Sequence, residues 1–426
     1  MITRTARHNI QEEQIPESAL EIVSRLRESG YEAHLVGGCV RDILLGATPK
    51  DFDVATSARP QEIVQLFESS RLVGRRFQIA HVRVSGGFHE VATFRRESVD
   101  EDFESQEDEQ ADDKTEQGTT DARWIEQNLY GTIEQDAFRR DFSINALYYD
   151  PMSHEVLDLC DALADVDSGT LRAIGDPEER FLEDPVRMIR AIRIAGRLNL
   201  SIEAECEKAI SRCRRSILNV SRARLFDELA KLFLCGSAER AYRMLTDFGL
   251  TALLFPALHS LDELTLSALE STDSRLAIGK PVTPAFVVAA ILWPQFQDAL
   301  ANSSEDVPRF ELHSMAAKAV LQEFRETMSL ARRHAYFIED TWMLQHRLEQ
   351  RHFRRIQRIM MHRRFRAAYD LLVLRSRTDD SLVDVADWWT RIQEVDEVER
   401  DSMIRERFPK NSRRSRRNQH RQPLAP

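Results

Sequence analysis

The chain has 426 residues, more than one hydrophobic core ordinarily serves, so its length predicts about two to four domains. With 42% hydrophobic and 30% charged residues and a longest apolar run of nine (Ala285 to Trp293), the sequence excludes a membrane-spanning helix. The net charge of -11 excludes little about partners: Glu97 to Asp121 holds twelve acids against one lysine, and the rest of the chain balances to zero.

The N-terminus, MITRTARHNIQEEQ, has no apolar signal core and predicts no export. Residues Ile15 to Ser29 have helical periodicity and stop at Gly30. AHLVGG then reads as a short buried strand running into a Gly-Gly turn, VRDILLG as a helix closed by Gly46, and DFDVAT as a second strand. RPQEIVQLFES is a helix starting after Pro60, and LVGRRFQIAHVRV and HEVATF complete the strands. This order describes a small mixed domain reaching about Asp150. The acidic stretch at about 97-121 has almost no apolar residues and predicts a disordered insertion. From about Pro177 the pattern is helical, without strands and without a fixed-period repeat. The last residues, 410-426, form a basic tail that cannot make a core. Five cysteines with no CxxC pair point to a reducing, cytoplasmic setting and away from a zinc site.

Three clusters carry chemistry. Asp51 and Asp53, two apart in an expected strand, project to one side with Phe52 opposite. Two carboxylates at that spacing suit Mg²⁺, which binds through one or two carboxylates plus substrate phosphates; a solvated turn accounts for the same pair taken alone. Upstream, Gly37 and Gly38 remove side chains where backbone must approach a ligand. Arg41 follows in a first helical turn that ordinarily favours an acid, and a cation there suits an anionic ligand. The second cluster is Arg139, Arg140 and Asp141 within an apolar stretch, where buried charge needs a partner, either a ligand or an internal salt bridge. The third is Asp184 and Arg187, three apart on one helix face. Asp184 is either a plain N-cap or, with the guanidinium, an acceptor and donor matched to an adenine edge. No GxGxxG occurs, and Gly279-Lys280 lacks the rest of a Walker loop. No His-Asp dipeptide is present, which excludes an HD-type phosphohydrolase.

LVGGCVRD, PKDFDVAT, RRDFSINAL and EDPVRMIRAIRIA, in this order, resemble the successive motifs of class II nucleotidyltransferases, the family of bacterial poly(A) polymerases and CCA-adding tRNA nucleotidyltransferases. The resemblance implies an α+β protein: a small polymerase-β-like nucleotidyltransferase head (1-150), a nucleotide-selecting helical neck (151-250), an elongated helical RNA-binding body (251-409) and the basic tail. It implies a template-independent, metal-dependent enzyme adding nucleotides to RNA 3′ ends. Asp51, Asp53 and Asp141 match its catalytic acids. Glu90, in HEVATF, is a second candidate to complete the metal set beside Asp51 and Asp53. Gly37, Gly38 and Arg41 match triphosphate-binding positions, and Arg139, Asp184 and Arg187 match positions that hold and select the nucleotide. The implied cofactor is Mg²⁺, with Mn²⁺ as a substitute, and the implied substrates are ATP and the 3′ ends of mRNA and other transcripts.

Two stretches favour poly(A) addition over CCA addition. LVGRRFQIAHV, with Gly74, Arg75, Arg76, Phe77 and His81, is similar to a segment that marks poly(A) polymerases. Arg363 to Arg377 with Trp388 and Trp389 looks like that group's RNA-binding end. Arg351, Arg354, Arg355, Arg358, Arg363, Arg364 and Arg366 fall within sixteen residues, and Arg413, Arg414, Arg416, Arg417 and Arg421 follow in the tail. Together they predict a sequence-indifferent, salt-sensitive RNA surface. The acidic insertion is expected either to repel nonspecific RNA or cover an empty site, or to be a passive linker.

Overall fold

Ala19, Ile22, Val23 and Leu26 recur at helical spacing, and in the computed structural model they form the buried face of α1 (Glu17–Glu28), which ends before Gly30 at φ 86°. The structure describes residues 3–74, 78–85, 87–96, 130–256, 262–302, 308–350 and 356–407. The acidic stretch, Arg75 to Phe77, Arg351, Arg354, Arg355 and the basic tail lie outside them. The chain divides into two units, Met1–Val220 with Asp247–Gly249, and Ser221–Thr246 with Leu250–Pro426.

The first unit is built on an eight-stranded sheet. Its strands are β1 (Thr3–Thr5), β2 (Ala33–Val36), β3 (Asp53–Thr56), β4 (Ser70–Val73), β5 (Ile79–Val84), β6 (Gly87–Thr93), β7 (Leu147–Asp150) and β8 (Glu155–Asp158). The order is β1-β8-β7-β2-β3-β6-β5-β4, and every pairing is antiparallel except β3 with β6. One face packs Leu35, Val54, Val82, Val91 and Tyr149 against α1 and α3 (Pro60–Leu66). On the other face, Val36, Ala55, Tyr148 and Leu157 pack with Ile133 and Ala137 of a helix spanning Ile133–Phe138.

The expected strand DFDVAT is shorter than its pattern suggests. It begins at Asp53, and Asp51 and Phe52 precede the ladder, with the Phe52 ring in the core. The helix expected from Val40 starts earlier, spanning Gly38–Leu44. Past Pro177 the chain is not wholly helical: Ser201–Ile202 pairs in parallel with Thr170–Leu171.

Among the described residues the second unit is helical, its longest helices being Arg309–Thr327 and Arg332–Gln350. Its core is aromatic. Trp342 stacks on Phe296 at 4.6 Å between centroids, and its indole N–H donates to the Ala289 carbonyl at 2.9 Å. Trp389 is fully buried and donates to the Leu348 carbonyl at 2.9 Å. Trp388 and Trp389, expected at an RNA-binding end, are therefore core residues: both lie in the cluster with Phe365 and Ile392, and neither face is open for a base.

Candidate active site

Strand register gathers the site at one end of the sheet. Val36, the residue before the glycine pair, is paired with Asp53. On the other side of β3, Val54 is paired with Val91, so one step earlier Asp53 stands beside Glu90. Both acids stand on the same face of the sheet. His89 fixes the stretch between the two aspartates. Its Nδ1 lies 3.0 Å from the Phe52 carbonyl and its Nε2 2.7 Å from Ser18 Oγ. A carbonyl only accepts, so Nδ1 carries the proton and Nε2 receives the Ser18 hydroxyl.

The Asp53 carboxyl is pushed up to about 6, first by its removal from solvent, then by Glu90 and by Asp51, with Arg140 opposing. Acids held this close repel one another, and a pair of oxygen donors beside substrate phosphates suits a hard divalent cation. Among the described residues no group of three or more His, Cys, Asp or Glu side chains is placed to hold a metal ion by itself; the acids sit at the end of the sheet.

Gly37 adopts φ 75° and donates its N–H to the Leu147 carbonyl at 3.1 Å. A Cβ there would lie 3.3 Å from Arg140 Nη1, so the glycine admits both the turn and the guanidinium against it. Gly38 faces Arg41, whose side chain is buried and donates to Asp42 at 2.6 and 2.9 Å and to Asn145 Oδ1. In this structure the anion that balances Arg41 is thus Asp42, which also receives Arg197 at 2.5 Å. Arg140 is the cation at the glycine turn and within electrostatic reach of Asp53. Only its place beside Arg139 distinguished it in the sequence, and its closeness to the turn depends on β7 pairing with β2.

Arg139 and Arg140 share the buried Asp136, at 2.5 and 2.9 Å, and Tyr148 Oη donates to the same carboxylate at 2.7 Å. Burial opposes ionisation of Asp136, but Arg140, Arg139 and Tyr148 overcome it and hold the group at about 2. Arg180 donates to the Arg139 and Arg140 carbonyls at 2.7 and 2.9 Å, tying the helix Pro177–Glu183 to this cluster.

Asp141 stands in a different set. It accepts from Arg190 at 2.6 Å, from Asn145 Nδ2 at 2.9 Å and from its neighbouring Phe142 N–H at 2.9 Å. Burial again opposes charge, and Arg190, Asn145 and Phe142 hold the carboxyl at about 2. The chain Arg190, Asp141, Asn145, Arg41, Asp42, Arg197 therefore joins both ends of the helix Val186–Leu198 to the glycine turn. Asp184 caps that helix by accepting the Val186 N–H at 3.3 Å. Arg187 is engaged by Glu183 and by the Arg180 carbonyl, the latter at 2.9 Å. The five cysteines are buried and form no disulfide, and the Cys39 thiol is pushed up to about 12 by burial and by Asp53, which leaves it without thiolate character.

In the second unit, Arg363 and Arg366 are exposed and pair with Asp340 and Asp370 at 2.9 and 3.0 Å. Arg364 is half-buried over the Phe337 ring. Arg413, Arg414, Arg416 and Arg417 lie outside the described residues.

Residues 33–172 match the Poly A polymerase head domain, 199–262 the probable RNA and SrmB-binding site of polymerase A, and 305–423 the polymerase A arginine-rich C-terminus. The fold and the acids beside the glycine turn are those of a nucleotidyltransferase. The chain is 37% identical to poly(A) polymerase I of Haemophilus influenzae over 95% of its own length and 90% of that protein's. To poly(A) polymerase I of Escherichia coli O157:H7 it is 36% identical, covering 98% and 91%. It belongs to the poly(A) polymerase I family and is a polynucleotide adenylyltransferase. The CCA-adding enzyme of Lactobacillus gasseri is 37% identical, but over only 55% of this chain and 54% of that one. Among solved structures, a tRNA-processing enzyme in an apo form has a TM-score of 0.61 at 20% identity, covering 95% of this chain and 100% of that one. The Bacillus stearothermophilus CCA-adding enzyme in complex with CTP has a TM-score of 0.54 at 21% identity, covering 92% and 82%. At these identities the likeness is one of fold.

Proposed function

We propose that the site transfers AMP from ATP to the 3′-hydroxyl of RNA, releasing pyrophosphate, with Asp51, Asp53 and Glu90 as the divalent-cation ligands. The observation that carries this reading is the register that sets Asp53 between Val36, which leads into the glycine turn, and Glu90, with the Asp53 carboxyl driven up by burial and by the neighbouring Glu90 and Asp51 against the pull of Arg140. Mg²⁺ suits this all-oxygen donor set, and Mn²⁺ fits the same ligands. A divalent cation held by Asp51, Asp53 and Glu90 would supply charge to ease loss of the 3′-hydroxyl proton and to offset the departing pyrophosphate.

The chain's own groups do the rest. The backbone at Gly37 and Gly38 admits the triphosphate, and Arg140 faces it while Asp136 and Tyr148 fix its guanidinium. Arg41 and Asp141 act from beneath, the first bracing the turn through Asn145 and Asp42, the second holding Asn145 against Arg190. Arg139 stays within the Asp136 cluster at the nucleotide's edge. Asp184 and Arg187, at the start of the helix Val186–Leu198, meet the adenine edge, with Glu183 setting the Arg187 side chain. Catalysis is then chiefly alignment and charge stabilisation.

In this reading residues 1-150 are the head, 151-250 the nucleotide-selecting neck and 251-409 the RNA-binding body. Arg363, Arg364 and Arg366, with Arg413, Arg414, Arg416 and Arg417, hold the backbone of mRNA and other transcripts, and five cysteines outside any disulfide support a cytoplasmic setting. The test offers each NTP separately with Mg²⁺ to a short unstructured RNA and to a CC-ended tRNA, beside Asp53→Ala. Long tails from ATP alone, lost in the variant, are expected. A single A on the tRNA with no tail on the other RNA would overturn the reading.

A further inference from the structure

The sheet is covered unequally. Helices α1 and α3 bury Ala80, Val82, Val84 and Val91 on one face of β5 and β6, and the side chains that alternate with them point the other way. Register arranges those into two rows. The first runs Asp53, Glu90, His81, Arg71 across β3, β6, β5 and β4, since Glu90 pairs with His81 and His81 with Arg71. The second sets Phe88 opposite Arg83. Phe88 is 55% exposed, and its ring meets His81 edge-on at 4.9 Å between centroids. His81 Nε2 lies 3.5 Å from Glu90. Arg71 and Arg83 are exposed, and among the described residues neither guanidinium has an ion-pair partner.

An exposed phenylalanine between two exposed arginines that have no ion-pair partner among the described residues is more than a solvated strand face needs, because the ring leaves apolar area in water. It is the chemistry that holds single-stranded RNA: bases stack on the ring and phosphates pair with the arginines. Strand order says which end of the reaction comes here. Asp53 lies between β2, which leads into the glycine turn, and β6. In-line displacement puts the attacking oxygen and the leaving pyrophosphate on opposite sides of the α-phosphate. With the triphosphate at the glycine turn, the attacking end arrives over β6, β5 and β4.

We propose that this sheet face, uncovered among the described residues, seats the last nucleotides of the RNA substrate, with Phe88 stacking on a base close to the 3′ end and Arg71 and Arg83 pairing with the phosphates behind it. The proposal rests on the adenylyltransferase reading above and adds a primer site on the head, distinct from the arginine-rich segment. His81 is its hinge, touching both the stacking ring and Glu90.

Two measurements test it. The first is steady-state extension of a short RNA by full-length wild type, Phe88→Ala, Phe88→Tyr and Arg71→Gln/Arg83→Gln. Phe88→Ala is expected to raise KM for RNA about tenfold, leave KM for ATP within about twofold, and be rescued by tyrosine. The double arginine variant is expected to lower the salt dependence of RNA binding by about one to two phosphate contacts. The second measurement does not need turnover: RNA carrying 4-thiouridine at the penultimate position is photocrosslinked and the adduct mapped, with the β5–β6 segment expected. Unchanged RNA KM and salt dependence in both variants, or crosslinks confined to other segments, would overturn the proposal. If wild type extended no RNA yet crosslinked through β5–β6, the adenylyltransferase reading would fall and the docking face would stand.

Discussion

Asp141→Asn separates two roles that the acid in RRDF could play, metal ligand or internal anchor. The structure gives its carboxylate to Arg190, Asn145 and the Phe142 N–H. Its carboxyl is held at about 2 against the ordinary 3.8, so its charge adds stability that is full above pH 3.8 and lost as pH falls through about 2. That gap corresponds to roughly 2 to 3 kcal/mol. Asparagine keeps an acceptor for the local N–H groups and loses only the charge, and Arg190, about a third exposed, regains some hydration. The expected loss is therefore about 2 kcal/mol, or about 5 °C in the melting temperature of the unit that holds it. The assay is thermal unfolding at pH 7 without divalent cation, for Asp141→Asn, Arg190→Gln and the double variant. Strong non-additivity is expected, because each single change already breaks the same pair. If Asp141→Asn melted at or above wild type and abolished activity, the carboxylate would belong with Asp53 and Glu90 and the anchor reasoning would be wrong.

Asp53→Asn and Glu90→Gln should each lower kcat at least about a hundredfold, yet without divalent cation they should melt no lower than wild type, since each relieves like-charge crowding; calorimetry with and without Mg²⁺ checks both. Gly37→Ala must fit a Cβ at positive φ and 3.3 Å from Arg140 Nη1, at a cost of about 1–2 kcal/mol, and KM for ATP should rise more than KM for RNA. Trp389→Ala should cost about 3–5 kcal/mol by emptying a fully buried site, whereas Arg363→Ala should leave urea unfolding unchanged and only flatten the salt dependence of RNA binding. Equality of the two variants in urea would count against the division between core tryptophans and surface arginines.

Much of the head was legible because its signals are local. The glycine pair, the two aspartates and the helix after Pro185 are each contained in a few residues, and the structure places them as turn, strand entry and capped helix. What could not be read depends on register and on competition for partners. The two adjacent arginines of RRDF differ because only Arg140 reaches the glycine turn once β7 lies against β2. Arg41 looked free for an anion because nothing in the sequence says that Asp42, its neighbour, turns back to hold it. Glu90 gained its place from the parallel pairing of β3 with β6, which no periodicity encodes. Trp388 and Trp389 sit in an arginine-rich segment, and composition there drew attention to RNA rather than to helix packing.

The strand order also sets a timetable. Strands β7 and β8 form a hairpin that inserts between β1 and β2, although both of those strands are synthesised more than a hundred residues earlier. Until residue 147 emerges, the Gly37 N–H lacks its acceptor and β2 presents an open edge. The nascent chain therefore cannot shape its nucleotide pocket from the N-terminal motifs alone, however early they are made. Long-range pairing of this kind is slow and leaves edges exposed, so ribosome-bound intermediates shorter than about 160 residues should be inert and prone to association. The glycine turn takes its shape only on the arrival of one late hairpin.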